Sequence, residues 1–486
     1  MAVITSCNTS TLQPYVPSAT NPWNEERVRH VYRRLGYDAK KADIDIAVTQ
    51  STSDFIDQII NEASESPALE TPPWSNFTYF DYQNLGLDFD TETQANHQEL
   101  RMALINQMLS SNGLKARLIL LWSNHFVTRL EDYYSSNHLY EYYATLEQHA
   151  LGNFEDFTSA IGTTSAMLLY LNGFQNTKNN PNENYARELY ELFTLGVDNG
   201  YTQTDITETA KALTGYNDRE HWTAPITFNE NKFDNSVKTI FTQEGVWGYD
   251  DVIRILFEEK SPLIATYICR KLYTYFVSPT PNEAVISEMA DIFVVDFNIA
   301  NVLKALFKSE HFLDSKSIGV QIKSPYDMFM SYLKVTNFSV EPDYLESFQW
   351  FCSTLGQTMF EPIDVAGWQG DKDWINSSTL TGRWRILEWV VWHTWEYYRE
   401  ELRTFAKRSS DNSNDPYIVA KSIVDRFMPL NLHTTADYDT ATDVFKHDVP
   451  ENYYEDGIWN LDWDSAPFQV VLLLLHLIKI PEFQLK

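Results

Sequence analysis

Helical periodicity runs through most of this 486-residue chain, and alternating strand patterns are scarce. Apolar residues recur at three- and four-residue spacing, which is typical of helices with one buried face, for example in residues 25–35, 41–62 and 114–126. We therefore predict an all-α fold that is predominantly helical. The periodicity leaves room for one minor β-hairpin, in residues 237–241.

Polar stretches without periodicity separate the predicted helices. They are rich in Pro, Gly, Asn, Asp and Thr, the residue types that favour turns and irregular backbone. We predict irregular loops near residues 65–97, 217–247 and 361–378, and a flexible link at 409–415. Residues 1–24 precede the first predicted helix as an N-terminal extension.

The charge balance narrows the class of ligand. The chain has 67 acidic and 37 basic residues, a formal net charge of -30 at pH 7. A surface with this field repels phosphate backbones, so nucleic acid is a poor partner. Aromatic residues make up 14% of the chain, which suits both a large core and stacking on flat ligands.

Cysteine usage and the apolar runs address export and membrane insertion. Cys7, Cys269 and Cys352 are far apart and odd in number, so they predict neither a disulfide framework nor a cysteine zinc site. The longest apolar run, near residues 470–478, is too short to span a bilayer. The first residues lack the basic region of a secretory signal, which favours a cytoplasmic location.

One segment, residues 180–196, has an unusually legible helix pattern. Asn180 is a predicted N-cap with Pro181 at the first helical position and Glu183 as a capping-box acid, and Gly196 closes the helix. Within it, Glu183, Arg187 and Glu191 are spaced by four, and Glu188 neighbours Asn184 and Glu191 at helical spacing.

Two interpretations fit these carboxylates. The ladder of residues 183, 187 and 191 could bind a metal or supply a general acid and base if it faces a cleft. It could also be an ion-pair network that fixes the helix, and spacing alone favours this second interpretation.

Histidines supply the second set of candidates. His125 lies on the apolar face of its helix, where a hydrogen-bonded core histidine is commoner than a ligand, and its neighbour Asn124 adds a polar group. His149, with Asn153 after it, lies on another helix. Neither histidine has a partner His at i+3 or i+4, which removes the metal signatures built on that spacing. Arg270 is the candidate anchor for an anionic group, although pairing with a carboxylate is the commoner fate of such a residue.

A loop with two tryptophans provides a third site. Residues 357–376 combine Trp368 and Trp374 with amides and acids, a mixture that carbohydrate pockets use and that a loop packed on a helical core also needs. The two readings weigh equally. No phosphate-binding glycine loop and no Gly-x-Ser-x-Gly elbow occurs, which removes the main support for Rossmann, P-loop and elbow-hydrolase classes.

Several blocks of the chain, in order, resemble one family. They include Trp122-x-Asn-His-Phe126, Pro181-Asn-Glu-Asn-Tyr-Ala-Arg-Glu-Leu189, Ile268-Cys-Arg-Lys-Leu272 and Val365-Ala-Gly-Trp368. Together they are similar to the bacterial family called domain of unknown function 1800, from about residue 27 to the C-terminus.

The resemblance implies a mainly helical protein of unsettled activity. It also implies one large helical domain over residues 25–486. Members are often encoded beside a protein that resembles the alkaline phosphatase and sulfatase superfamily, which implies a shared complex and an envelope or exported location. The chain departs from the family pattern at Ser123 and in residues 233–239, where the family has two histidines and a glycine, and at Tyr216, where the family has tryptophan.

The leading hypothesis is a hydrolase-type or metal-assisted enzyme, or a divergent inactive member, with a polar pocket and an unknown cofactor. The predicted catalytic residues are Glu188, Glu191, Arg187, His125 and His149. The predicted substrate-binding residues are Asn124, Asn182, Asn184, Arg270, Trp368 and Trp374. The alternative is a non-catalytic scaffold or glycan-binding protein of a cell-envelope or surface assembly.

Overall fold

The computed structural model describes residues 9–486, and this part of the chain is built mainly from helices. It contains 23 α-helices and two antiparallel sheets of two strands each. The predicted all-α fold is confirmed, and the minor β-structure is present. Within the described residues, no helix combines the length and apolar composition needed to cross a membrane.

Twelve helices form the first part of the chain. They are α1 (Glu25–Gly36), α2 (Lys41–Ala47), α3 (Thr52–Glu65), α4 (Tyr79–Leu85), α5 (Phe89–Leu109), α6 (Leu114–His125), α7 (Leu130–Tyr133), α8 (Ser136–His149), α9 (Phe154–Gly162), α10 (Ser165–Tyr170), α11 (Asn184–Glu188) and α12 (Gln203–Ala212). Side-chain caps define many of these starts, as where Asn153 accepts a hydrogen bond from the backbone of Asp156 to begin α9.

Eleven helices follow the strands. They are α13 (Tyr249–Phe276), α14 (Glu283–Phe293), α15 (Ile299–Phe307), α16 (Pro325–Thr336), α17 (Pro342–Thr354), α18 (Ser377–Tyr397), α19 (Arg399–Ser409), α20 (Pro416–Phe427), α21 (Thr435–Lys446), α22 (Glu451–Glu455) and α23 (Ala466–Leu477). The predicted link at 409–415 is the connection between α19 and α20.

The strands lie in the predicted loop at 217–247. β1 (Tyr216–Asp218) pairs antiparallel with β2 (Thr227–Phe228). β3 (Lys238–Ile240) pairs with β4 (Gln243–Gly245), with Lys238 opposite Gly245. The second pair occupies the segment where the sequence left room for a hairpin.

The prediction of an irregular loop over residues 65–97 is wrong in its second half. The helix α4 and the start of α5 lie there. The Asp and Thr residues that suggested a loop are helix caps: Thr78 and Asp81 form a capping box for α4, and Asp88 accepts from the backbone of Thr91 in α5. Polar residues at a helix start and in a loop have the same composition, so composition alone does not separate them.

The helix predicted over residues 180–196 begins later than its pattern indicates. Asn180 pairs with Thr177 in an isolated bridge, so it does not cap a helix. α11 starts at Asn184, whose backbone N–H donates to the Asn182 side chain, and then widens into a π-helical turn, Leu189–Thr194. Gly196 ends it with a φ of 96°, as predicted.

A single cluster of buried hydrophobic side chains extends from Tyr15 to Phe483 and draws on nearly every helix. The described part of the N-terminal extension lies against the helices, because Tyr15 donates its backbone N–H to Lys308. Cys269 and Cys352 are buried and free, whereas Cys7 lies outside the described residues.

The interior has the opposite charge bias from the whole chain. Ten basic side chains are buried among residues 9–486, and only four acidic ones, Asp38, Glu147, Asp205 and Asp327. The negative charge is therefore carried by the surface, and net charge says nothing about the electrostatic environment of an interior site.

Candidate functional site

A cavity of about 420 Å³ opens where six segments of the chain meet. Its walls are the last turns of α6, the C-terminal end of α13 with Pro279 after it, residues 321–327 at the start of α16, Gln357, the loop 366–374 and Lys486. The volume suits a small organic ligand. Four of the residues predicted from sequence line it: Asn124, His125, Trp368 and Trp374.

His125 ends α6 and is 4% exposed. Its Nε2 lies 3.0 Å from the carbonyl oxygen of Phe193, and a carbonyl only accepts, so Nε2 carries the proton. The other ring nitrogen, Nδ1, is buried and has no hydrogen-bond partner. Burial, followed by the charge of Lys271, lowers the pKa of His125 well below 6.5, so the ring is neutral at pH 7 with an unused lone pair on Nδ1.

The π-helical turn after α11 holds two of the basic side chains of the cavity, His125 and Lys271. Carbonyl groups in the last turn of a helix lack intrahelical partners. The Leu192 carbonyl accepts from the Tyr267 hydroxyl at 2.8 Å and from Lys271 Nζ at 3.4 Å, and the Phe193 carbonyl accepts from His125. Adjacent carbonyls of one turn therefore bring Lys271 and His125 side by side. Such turns often occur at functional sites.

Lys271 lines the cavity, although the sequence pattern favoured its neighbour Arg270 as the anchor for an anionic group. It lies in α13 next to Arg270, but the two side chains lie on different sides of the helix. Arg270 forms an ion pair with Glu283 at 2.5 Å, away from the cavity, whereas Lys271 lines it. Burial lowers the pKa of Lys271 to about 8. A signal was present, since Lys271 follows the buried Ile264 and Ile268 at helical spacing.

Asn124 fixes the tryptophan loop against α6. Its side-chain amide donates to the Trp368 carbonyl at 2.9 Å and accepts from the Trp368 backbone N–H at 2.6 Å. This close approach needs glycine before Trp368, because a Cβ on Gly367 would lie 2.4 Å from the Asn124 Oδ1 and the φ of Gly367 is +75°. The indole Nε1 of Trp368 is buried without a hydrogen-bond partner. The ring centroids of Trp368 and Trp374 are 6.5 Å apart.

The floor of the cavity is a buried ion-pair cluster that no sequence pattern indicated. Asp327 in α16 accepts from Arg117 at 2.7 Å and from Lys486. Burial alone would raise the pKa of Asp327, but these two cations outweigh it and hold the pKa well below its usual range. Burial lowers the pKa of Lys486 to about 8, although Asp327 opposes it.

The ladder on α11 lies apart from the cavity. Arg187 pairs with Glu183 at 3.1 Å and with Glu191 at 3.3 Å, and the arginine side chain is 36% exposed. Gln203 of α12 also contacts Arg187 and Glu183. None of the three ladder residues lines the cavity, and this arrangement matches the network interpretation.

The other predicted site residues also lie outside the cavity lining. Burial and then Glu191 raise the pKa of Glu188. Asn184 donates to the Leu171 carbonyl, and Asn182 accepts from Asn184. His149 stacks on Phe157 with 5.5 Å between ring centroids, and burial lowers its pKa. The described residues contain no group of three or more His, Cys, Asp or Glu placed to hold a metal ion.

Comparison with known proteins gives one match. The model of a family described as "Protein of unknown function (DUF1800)" matches residues 30–485, nearly the whole chain. No curated protein and no solved structure matches the chain.

Proposed function

We propose that this chain, which belongs to the family of unknown function DUF1800, is an enzyme. Its proposed active site is the cavity between α6 and α13. The proposed reaction is acid–base chemistry of hydrolase type on a small organic molecule. His125 is the proton acceptor in this proposal.

The single observation that supports the proposal is a buried, neutral imidazole with an unused Nδ1, in a residue that lines a cavity of about 420 Å³. A buried polar atom without a partner is costly, so it calls for an explanation, of which a catalytic role is one. A base must be unprotonated at working pH and within reach of the substrate proton. The donor bond from Nε2 to Phe193 fixes the ring so that Nδ1 is the accepting atom.

The remaining predicted residues divide into two groups under this proposal. Asn124 positions the Trp368 loop, and Trp368 and Trp374 provide aromatic walls for the ligand. Glu188, Glu191, Arg187, Asn182, Asn184, His149 and Arg270 have structural roles outside the cavity.

The test is hydrolysis of a panel of small chromogenic carboxylic and phosphoric esters by the wild type and by His125→Gln. Glutamine keeps an N–H donor for the Phe193 carbonyl while removing the base. Loss of a general base typically slows turnover by about 10²–10⁴-fold. His149→Gln is the matched control, because it makes the same change outside the cavity, and we expect its turnover to stay within about twofold. Equal turnover by wild type and His125→Gln would contradict the proposal.

A second candidate function is a non-catalytic scaffold in a cell-envelope assembly, with a phosphatase- or sulfatase-like partner. It is favoured by an aromatic surface on α17 and α18, where Trp350 is 65% exposed, Trp389 46% and Trp392 42%. Exposed tryptophans are frequent anchors of protein interfaces. The test is a pull-down of a protein of the phosphatase and sulfatase superfamily, the partner class that the family resemblance implies. Retention by wild type and loss with Trp350→Ser/Trp389→Ser support the scaffold, and equal retention contradicts that surface.

A further inference from the structure

We infer that the cavity binds its ligand through an oxyanion, a carboxylate or phosphate group, with Lys271 as the opposing charge and the Trp368 Nε1–H as a second donor. The inference rests on the proposed function for the location of the ligand, and it adds the chemical class of that ligand. It draws on three groups of the cavity that lack adequate partners.

Lys271 is poorly coordinated in comparison with the other interior lysines. Lys334 donates to two carbonyl oxygens, those of Gly36 at 2.6 Å and Ser110 at 2.8 Å. Lys323 donates to the Phe483 carbonyl at 2.9 Å, and Lys486 pairs with Asp327. Lys271 has three N–H donors and one long bond, 3.4 Å to the Leu192 carbonyl.

No carboxylate among the described residues forms an ion pair with Lys271. Asp327, on the same cavity, is already held by Arg117 and Lys486, and Asp371 accepts a hydrogen bond from the Ile322 backbone. Burial acts on the pKa of Lys271 without an opposing acid. In a chain with 67 acidic residues, Lys271 has no acidic partner among the described residues, and its other contact is the Tyr267 ring, whose centroid lies 5.0 Å from Nζ, so an anionic ligand would supply the missing opposite charge.

The indole of Trp368 is the second donor. Trp Nε1–H can only donate, and here it is buried without an acceptor, on the same cavity as Lys271. The two hydrogen bonds between the Asn124 side chain and the Trp368 backbone hold this residue in place before a ligand arrives. Two unused donors select an acceptor-rich group, and an oxyanion accepts from both.

His125 refines the ligand class further. Its Nδ1 is an acceptor, so it needs an O–H from the ligand. A carboxylate with a neighbouring hydroxyl, or a phosphate carrying one proton, supplies both an oxyanion and an O–H. The net charge of -30 slows the approach of anions, but the interior is rich in buried bases, so binding inside is compatible with an acidic exterior.

Calorimetric titration of the full chain tests this inference with four probes: glycolate, acetate, inorganic phosphate and the uncharged glycolamide. We expect glycolate or phosphate to bind, acetate to bind more weakly, and glycolamide to bind at least about tenfold more weakly than glycolate, because hydrogen bonds to charged groups are the strong ones. The comparison of glycolate with phosphate separates the two oxyanion classes.

Variants then locate the binding. Lys271→Met removes the charge and keeps a chain of similar length, and we expect about tenfold or greater loss of affinity. Arg270→Met is the matched control, since it removes the neighbouring cation whose partner is Glu283, and its affinity should equal that of wild type. Trp368→Phe keeps a ring without the N–H, and a loss of about three- to tenfold is expected.

Three results would overturn the inference: no probe binds the wild type, glycolamide binds as well as glycolate, or Lys271→Met binds the anion as well as Arg270→Met does. The proposed function fails on a different result. If the anions bind and lose affinity in Lys271→Met, while His125→Gln hydrolyses esters as fast as wild type, the oxyanion site stands and the catalytic role of His125 does not.

Discussion

The α11 ladder and the α6–α13 cavity contain similar kinds of residue but use them differently. In the ladder, Glu183, Arg187 and Glu191 lie one turn apart and satisfy one another near the surface. In the cavity, His125 and Lys271 come from distant segments, and each retains polar atoms with no or weak partners.

The difference shows what separates a network from a site. Neighbouring charges on one helix pair easily, and solvent screens what remains, so such a network adds little free energy and has no capacity left for a ligand. In the cavity, by contrast, the hydrogen bonds of His125 and Lys271 do not fully compensate for their burial. Unsatisfied, buried polar groups therefore mark the better candidate site, even where the ladder has the more regular pattern.

The largest expected contrast is between carboxylates of the two regions. Asp327→Asn leaves Arg117 and Lys486 buried without their anion, and breaking a buried pair in this way typically costs about 3–5 kcal/mol of unfolding free energy. Glu191→Gln, in the partly exposed ladder, should cost about 0–1 kcal/mol. Denaturant unfolding of both variants measures the difference. Similar costs would show that burial does not separate the two regions.

The pH dependence of stability gives a contrast of intermediate size. Folding holds the pKa of His125 well below 6.5, whereas in the unfolded chain it lies near 6.5. The unfolded state then binds more protons below about pH 6.5, so this contribution to stability is full above that pH and is lost as pH falls.

We expect the stability of wild type to fall more steeply than that of His125→Gln, by up to about 1.4 kcal/mol per pH unit below pH 6.5. Unfolding at a series of pH values from 6.5 to 4.5 measures the two slopes. His149→Gln is the control, because His149 is only partly buried, and its slope should stay closer to that of wild type. Parallel curves for wild type and His125→Gln would mean that His125 is not held neutral by folding.

The smallest expected effect is in the ladder itself. Arg187→Met removes two partly exposed ion pairs, so we expect a change of about 0–1 kcal/mol in unfolding free energy and no change in glycolate affinity. Calorimetry and denaturant unfolding provide both measurements. A tenfold loss of turnover or affinity would break the comparison, since it would make the ladder part of the site.

Local signals were reliable for elements and misleading for some of their ends. The periodicity located α1 and α6, and the glycine signal located Gly196 just after the π-helical turn, because these features depend on residues near in sequence. It failed for α4, where capping residues looked like a loop, and for the start of α11, where Asn180 pairs with Thr177 instead. Competing hydrogen bonds to neighbouring segments decide such boundaries.

The site was predictable in part. The sequence predicts His125 with Asn124 as one site and Trp368 with Trp374 as another, and the structure brings both pairs to one cavity. Arg270 and Lys271 are neighbours in sequence but lie on different sides of α13. The arginine pairs with Glu283, and the lysine lines the cavity. No sequence pattern could place Asp327 and Lys486 together, because 158 intervening residues separate them.

The sequence by itself determined the helical class, the family and the residue types available for chemistry, since periodicity, caps and specific blocks are local properties. Only the tertiary structure decided which of those residues share a cavity and which polar atoms remain unsatisfied. Burial, hydrogen-bond completion and the local electrostatic field depend on contacts between distant segments. These contacts make Arg187 part of a self-contained network and leave His125 and Lys271 with capacity for a ligand.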